Sequence, residues 1–270
     1  MKKICFIGGG NMASAMLAGL RKKHPTLGCH IIEPFAEARE KLAALDVTVY
    51  PTTVRAAIAG ADAVVLAVKP QVLGQVCGEL LPCLDGELVV SIAAGVRINT
   101  LARWLDGHAR IVRTMPNTPA LIGQGVTGVY APATLAATDV ATATELMQST
   151  GVVISVENED MIDAVTAVSG SGPAYVFHWI ESMLAAAEDA GFNAADARTL
   201  VLGTLKGATA LAEASDVSPG VLRERVTSKG GTTAAALAVL NERDVAGAIL
   251  QAVRAANNRG AELGDLLDRE

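Results

Sequence analysis

The stretch ICFIGGGNMASAML, residues 4–17, decides the fold of the N-terminal half. An apolar run typical of a buried strand ends at Gly8, and a helical pattern begins within a few residues. The spacing Gly8-x-Gly10-x-x-Ala13 matches a dinucleotide-binding turn: Gly8 permits the tight turn, Gly10 lets the backbone approach a pyrophosphate, and Ala13 keeps helix and strand close. A glycine turn that merely packs remains the alternative. The backbone N–H groups that would face the phosphates belong to Asn11, Met12 and Ala13.

Short apolar runs alternate with helical segments along the rest of the first half. The runs KICFIG, CHIIEP, VTVY, DAVVLAV, ELVVSIAAG and ARIVRTMP are apolar on both faces, which indicates a parallel sheet covered on both sides. Two further runs, GVTGVYA and GVVISVE, flank a helical pattern over residues 135–149 and extend the same sheet. We therefore predict an α/β fold with an N-terminal Rossmann-type, mostly parallel sheet as a dinucleotide-binding domain over residues 1–157.

Residues 158–270 show no convincing strand and predict an all-α domain. Its segment PAYVFHWIESMLAAAEDAG, residues 173–191, is apolar around most of its circumference in its first three turns. Such a helix is normally buried, but a domain of this size has too few layers to cover it. We therefore expect a dimerisation domain covered by a second copy in a homodimer.

Composition excludes several classes of function. The 270 residues carry a net charge of −6, which argues against a nucleic-acid surface. No apolar run reaches the ~18 residues of a membrane helix, so no membrane partner is expected. Because no signal peptide follows Lys2 and the four cysteines form no CxxC pair, we expect a cytoplasmic protein with reduced thiols. The four histidines are scattered, so no metal site is predicted.

The fingerprint also calls for an acidic residue at the end of the second strand, and Glu33 in HIIEPF occupies that place. A carboxylate there favours NAD over NADP because it repels a 2′-phosphate. Arg39 is the nearest basic residue, some way down the following helix. Alternatively, Glu33 is a solvated strand-end charge that points away from the site.

Two glycine-rich turns in the second half each lead into a helix. They are VSGSGPAYV, residues 168–176, and VTSKGGTTAAAL, residues 226–237. Either could be a plain interhelical turn. Exposed N–H groups at a helix start also suit a carboxylate, and the hydroxyls of Ser228, Thr232 and Thr233 could donate to a developing charge or a reacting nitrogen.

These motifs carry a resemblance to a known family. The stretch LRERVTSKGGTTAAALAVL looks like the signature of Δ1-pyrroline-5-carboxylate reductases, and AVKP (residues 67–70), RTMPNTPA (113–120) and SGSGPAY (169–175) fit the same family in the same order. The resemblance covers essentially the whole chain. It implies reduction of the cyclic imine of 1-pyrroline-5-carboxylate to L-proline with NADPH or NADH, the last step of proline biosynthesis.

The resemblance also implies roles for individual residues. Thr233 would be the catalytic residue, with its hydroxyl near the ring nitrogen, and Asn117 would lie near the nicotinamide. In this family the helical domains interlock, so the substrate loop can complete a site with the partner subunit of a dimer or of a larger assembly of dimers. Many relatives prefer NADPH, so the family favours NADP(H) whereas Glu33 hints at NAD(H). Further cofactor contacts would come from Ala67, Val68, Lys69, Pro70, Ala93 and Gly95, and the substrate carboxylate would bind Ser228, Lys229, Gly230, Gly231, Thr232 and Thr233.

Lys229 could either strengthen the attraction of the carboxylate or point to solvent.

Two other functions compete with the reductase. A 3-hydroxyacid dehydrogenase of the two-domain helical type would need a lysine a few residues into the helix after the Gly-x-Gly turn, and residues 174–180 contain none. A non-catalytic dinucleotide-sensing protein would need only the first domain's site and not the loop of residues 228–233.

Overall fold

A computed structural model describes residues 1–269. Eight strands form one sheet in the order β3-β2-β1-β4-β5-β6-β7-β8, which confirms the predicted mostly parallel α/β architecture. The strands are β1 Lys3–Ile7, β2 Gly28–Ile32, β3 Thr48–Tyr50, β4 Ala63–Leu66, β5 Val89–Ser91, β6 Ile111–Met115, β7 Gly125–Tyr130 and β8 Gly151–Ser155.

Six helices alternate with these strands, and six more follow β8. The first six are α1 Asn11–Lys23, α2 Ala36–Ala43, α3 Arg55–Ile58, α4 Pro70–Leu80, α5 Ile98–Trp104 and α6 Ala137–Met147. The others are α7 Met161–Val165, α8 Gly172–Asp189, α9 Ala194–Glu213, α10 Pro219–Arg225, α11 Thr232–Glu242 and α12 Val245–Asp268, with a π-helical segment, Thr166–Gly170, between α7 and α8. No strand occurs among residues 158–269, in agreement with the predicted all-α second half.

Strands β1 to β6 are all parallel, so their carboxyl ends share one edge of the sheet. Strand β7 runs antiparallel to β6, and β8 runs parallel to β7. The reversal follows from the short connection between Met115 and Gly125, which holds only a 3-10 helix, Thr118–Ile122. A parallel return would need a crossover of about a dozen residues or more.

Both faces of the sheet carry a core, which explains the near-continuous apolar strands. Along β1, Ile4 and Phe6 pack into one core with α1 and α6, whereas Cys5 and Ile7 pack into the other with α3, α4 and α5. Because successive side chains point to opposite faces, a strand buried on both sides reads as an unbroken apolar run.

The compact units of the chain differ from the predicted boundary after residue 157. One unit comprises residues 1–173 together with the chain from residue 255 on, and the other comprises residues 174–254. Arg113 on β6 is fully buried, and its guanidinium contacts Asp163 at 2.7 Å and Glu159 at 3.3 Å. A buried cation needs its counterions beside it, so the segment around α7 packs with the sheet.

The unit of residues 174–254 has almost no core of its own. Only Ala197 and Val201 are buried in it, and α8 contains no buried residue. The single chain therefore leaves the apolar α8 uncovered, and its cover by a second copy stays a prediction. Within residues 1–269, no helix is both long and apolar enough to span a membrane.

Candidate active site

The glycine turn after β1 is shaped by close contact with the segment that follows β4. Gly8 has φ +96°, and a Cβ there would lie 2.7 Å from the carbonyl oxygen of Ala67 and 2.8 Å from Cγ1 of Val68. Gly10 has extended backbone (φ −69°, ψ −175°) and begins α1 without a side-chain cap. A Cβ on Gly10 would meet no atom within 4 Å. The chain itself thus does not demand glycine at that position, and the open space suits a group that approaches the helix start.

Glu33 lies at the end of β2 and turns inward to this loop. It is 6% exposed, its Oε2 accepts the Gly9 N–H at 2.9 Å, and its Oε1 accepts the Phe35 N–H at 3.0 Å. The alternative of a solvated strand-end charge is therefore wrong. Arg39 donates instead to the carbonyl oxygens of Glu33 and Pro34, at 3.0 and 2.6 Å, so it fixes the backbone of this loop.

Gly9 is a site residue that the sequence reasoning passed over. Besides its bond to Glu33, a Cβ on Gly9 would overlap Cδ1 of Leu42 on α2. The run of three consecutive glycines was the available signal, because the fingerprint itself requires only Gly8 and Gly10.

A cleft of about 740 Å³ opens between the glycine turn and α2. Its walls combine backbone N–H groups, the apolar faces of Phe35 and Leu45, and the charges of Glu37 and Lys41. This mixture suits a ligand with an apolar ring and an anionic or hydroxylated part. The lining residues include Gly9, Gly10, Asn11 and Ser14 on one side and Phe35, Glu37, Lys41, Leu42 and Leu45 on the other.

The predicted cofactor contacts beyond the turn follow the neighbouring strands at the same edge. The Ala67 N–H donates to the Ile7 carbonyl at 2.8 Å, and the Ile92 N–H donates to the Leu66 carbonyl at 3.2 Å. The segments after β1, β4 and β5 therefore lie side by side. The structure brings the following predicted residues to this edge: Gly8, Gly10, Asn11, Met12, Ala13, Ala67, Val68, Lys69, Pro70, Ala93 and Gly95.

Asn117, just after β6, has its side chain engaged by the protein. Its Oδ1 accepts the Val126 N–H at 2.9 Å, and its Nδ2 donates to the carbonyl and the hydroxyl oxygens of Ser169, both at 3.1 Å. The side chain thus joins the loop after β6 to β7 and to the π-helical segment. Its predicted nicotinamide contact stays a prediction.

The predicted substrate loop lies in the helical unit, between α10 and α11. Ser228, Lys229 and Gly230 are exposed, Gly230 has φ +74°, and the Gly231 N–H closes the turn on the Ser228 carbonyl at 3.0 Å. Thr232 and Thr233 open α11, with Thr233 half-buried.

The start of α11 lacks a side-chain cap, unlike two other helices of the same unit. Asn193 caps α9 by accepting the Asp196 N–H at 3.0 Å, and Ser218 caps α10 by accepting the Val221 N–H at 3.4 Å. Unpaired N–H groups at a helix start favour an anion. The described chain contains no group of three or more side chains placed to bind a metal.

Comparisons with known proteins match the whole chain. A family model described as pyrroline-5-carboxylate reductase dimerisation matches residues 159–263, and one described as NADP oxidoreductase coenzyme F420-dependent matches residues 3–95. The pyrroline-5-carboxylate reductase of Pseudomonas aeruginosa is 43% identical over 270 residues, with 98% of each chain covered. The chain belongs to the pyrroline-5-carboxylate reductase family. The enzyme of the same name from Haemophilus influenzae is 40% identical, again with 98% of each chain covered.

Solved structures of this family share the complete fold. A pyrroline-5-carboxylate reductase from Coxiella burnetii superposes with a TM-score of 0.88 at 37% identity, covering 96% of this chain and 97% of that chain. A Plasmodium falciparum pyrroline carboxylate reductase with NADP bound gives a TM-score of 0.85 at 29% identity, covering 97% and 98% of the two chains. The family and the fold class predicted from the sequence are thus confirmed. The roles of individual site residues remain predictions.

Proposed function

We propose that this chain is a pyrroline-5-carboxylate reductase that reduces the C=N bond of 1-pyrroline-5-carboxylate to give L-proline, the last step of proline biosynthesis. The observation that carries the proposal is the uncapped start of α11, which follows the exposed residues 228–230. It offers unpaired N–H groups to a carboxylate, in a chain that also presents a dinucleotide-binding turn. The curated relatives that bear this name support it at full length.

The cofactor is a nicotinamide dinucleotide, and the residues at the sheet edge fit it. The uncapped start of α1 and the open space above Gly10 receive the pyrophosphate. Glu33 faces the adenosine ribose, and the segments after β4, β5 and β6 continue toward the nicotinamide end, with Asn117 last. When bound, the reduced cofactor supplies the hydride.

The substrate carboxylate is held by the backbone N–H groups of Gly230, Thr232 and Thr233, with Lys229 adding positive charge. The ring nitrogen is already protonated when the imine binds as its iminium, so hydride addition at the imine carbon completes the amine without a strong protein acid. The chain's task is then to orient the substrate, and proximity supplies most of the acceleration. The Thr233 hydroxyl accepts a hydrogen bond from the iminium N–H and so orients the ring, and that proton stays on the nitrogen of the product amine.

The working form is a homodimer or a larger assembly of dimers in the cytoplasm. The helical unit supports this, because its apolar helices have no cover of their own. The matched dimerisation model spans the same helices.

A cofactor-resolved assay tests the function. We expect the purified protein to oxidise NADH or NADPH when 1-pyrroline-5-carboxylate is added, with one equivalent of proline formed. Thr233→Val, which keeps the shape but lacks the hydroxyl, should lower kcat about 100-fold, whereas Thr233→Ser should restore most of it. Oxidation of neither cofactor would reject the reductase, and a normal kcat in Thr233→Val would reject the role of the hydroxyl.

Cofactor preference is the finer part of the proposal: Glu33 favours NADH. Its carboxylate is fixed by two backbone N–H groups and cannot easily swing away from a 2′-phosphate. Glu33→Gln should therefore raise the ratio of kcat/KM for NADPH to that for NADH roughly tenfold, since about 1.4 kcal/mol of charge repulsion is removed. Glu40→Gln, an exposed carboxylate on α2 that does not line the cleft, is the matched control. An unchanged ratio in Glu33→Gln would contradict the assignment.

A further inference from the structure

The end of α12 packs against the sheet unit through one face with a four-residue spacing. Gly260 and Gly264 are the buried residues of this 24-residue helix, and Asp268 follows four residues later. Residues four apart share one side of a helix. The three positions therefore form a continuous contact face, which carries no role in the function proposed above.

This face lies directly on the turn after β5. A Cβ on Gly264 would lie 3.1 Å from the carbonyl oxygen of Gly95 and 3.2 Å from Nε of Arg97. From the other side, a Cβ on Gly95 would lie 3.3 Å from Cβ of Leu263. Gly95 has φ +76°, which already restricts the position to glycine. The helix backbone and the turn thus touch with no side chain between them.

Polar contacts hold this helix end in place beyond the turn. Asp268 accepts the Thr100 hydroxyl at 2.7 Å and Nη1 of Arg103 at 3.1 Å, and Nη2 of Arg103 donates to the Asp268 carbonyl at 2.8 Å. Both partners lie on α5, the helix that follows the turn. One turn of helix before Gly264, a Cβ on Gly260 would lie 3.6 Å from Cβ of Asp163.

Arg97 ties the same turn to the buried ion-pair cluster. Its Nη1 contacts Asp160 at 2.6 Å, and its Nη2 contacts Asp163 at 3.4 Å. Within the turn itself, the Ala93 N–H donates a long hydrogen bond to Oγ of Ser91, at 3.3 Å. The position of the turn is therefore set mainly by the ion pairs of Arg97 and by packing against the end of α12.

We infer that Gly264 and Asp268 are positioning residues for the cofactor, because they hold the turn Ala93–Ala94–Gly95 at the carboxyl edge of the sheet. The inference rests on the proposed function, in which this turn contacts the nicotinamide dinucleotide. A methyl group at Gly264 must displace the Gly95 carbonyl or the helix by a few tenths of an ångström. Such a shift weakens cofactor binding and leaves the substrate loop of residues 228–233 unchanged.

The test compares Gly264→Ala with Gly78→Ala, a glycine in α4 whose added Cβ would meet no atom within 4 Å. Fluorescence titration of the full-length protein with NADH and NADPH should show Kd raised roughly fivefold in Gly264→Ala and unchanged in Gly78→Ala. KM for 1-pyrroline-5-carboxylate should stay the same in both. Hydrogen–deuterium exchange of the peptide covering residues 92–97 should be faster only in Gly264→Ala.

Asp268→Ala is the second variant, with Asp265→Ala, an exposed carboxylate on the same helix, as its control. Asp268→Ala should raise cofactor Kd roughly twofold and speed exchange at residues 92–104, while Asp265→Ala should do neither. Unchanged Kd and exchange in both Gly264→Ala and Asp268→Ala would overturn the inference alone. If the wild-type protein binds neither NADH nor NADPH, the proposed function is rejected, and this inference with it.

Discussion

The sheet unit and the helical unit differ most in how each buries its apolar residues. The sheet has a core on both faces, filled by fully buried side chains such as Phe6, Leu66 and Leu73. The helical unit buries only Ala197 and Val201 and leaves large side chains exposed, among them Phe177 at 58% and Leu211 at 57%. The first unit therefore covers its own apolar residues, whereas the second leaves a large apolar surface of the kind that marks an interaction site.

The same difference recurs at the two predicted binding segments. The glycine turn is fixed by tertiary contacts: Gly8 lies against Ala67 and Val68, just after β4, and Gly9 is bonded to the buried Glu33. Residues 228–230 of the substrate loop are exposed, and the loop is closed by one backbone bond, from the Gly231 N–H to the Ser228 carbonyl. We therefore expect cofactor binding to survive disruption of the dimer and substrate turnover to be lost with it.

The largest effect on assembly and turnover is expected from a charge placed on the exposed face of α8. Phe177→Asp would bury an unpaired carboxylate in the proposed dimer contact, so the dimer Kd should rise at least 30-fold, the scale of about 2 kcal/mol at an interface anchor. Turnover should fall in parallel while NADH binding is retained. Sedimentation at several concentrations measures the dimer. Val72→Asp, at an exposed apolar position on α4, should leave the dimer intact. A stable, active Phe177→Asp dimer would contradict the comparison.

An intermediate effect is expected from the buried ion-pair cluster of the sheet unit. Asp163→Asn removes the charge that lies 2.7 Å from the fully buried Arg113, and the free energy of unfolding should fall by roughly 3 kcal/mol. Asp160→Asn, whose carboxylate is 82% exposed beside Arg97, should cost less than about 1 kcal/mol. Denaturant unfolding followed by near-ultraviolet signals of the sheet unit measures both. Equal losses would mean that burial does not set the strength of this cluster.

Features with a local sequence signal could be predicted, and features made by distant pairs could not. The glycine turn, the alternating strands and the helical second half each follow from the order of nearby residues. Arg113 lies in a mostly apolar strand. No residue near it in the sequence indicates that its partner is Asp163, fifty residues later. That long-range pair is why the segment of residues 158–173 packs with the sheet and not with the helices. The need for a residue without a side chain at position 264 likewise becomes visible only in the contact of Gly264 with Gly95.

The smallest effect concerns thiol reactivity, which reports how closed the sheet unit is. Burial raises the pKa of the Cys5 and Cys77 thiols to about 12 and raises the pKa of Cys29 as well. All three stay protonated and inaccessible at pH 8, and only the thiolate attacks a disulfide reagent. We therefore expect Cys83, the one cysteine among residues 1–269 that is not fully buried, to react alone in the native protein, and the other three to react after denaturation. Its modification should leave turnover nearly unchanged, because Cys83 lies after α4 and away from the carboxyl edge. Rapid labelling of Cys5 or Cys77 without denaturant would show that the core of the sheet unit opens readily. The sheet unit would then not differ from the helical unit in how well it protects its apolar residues.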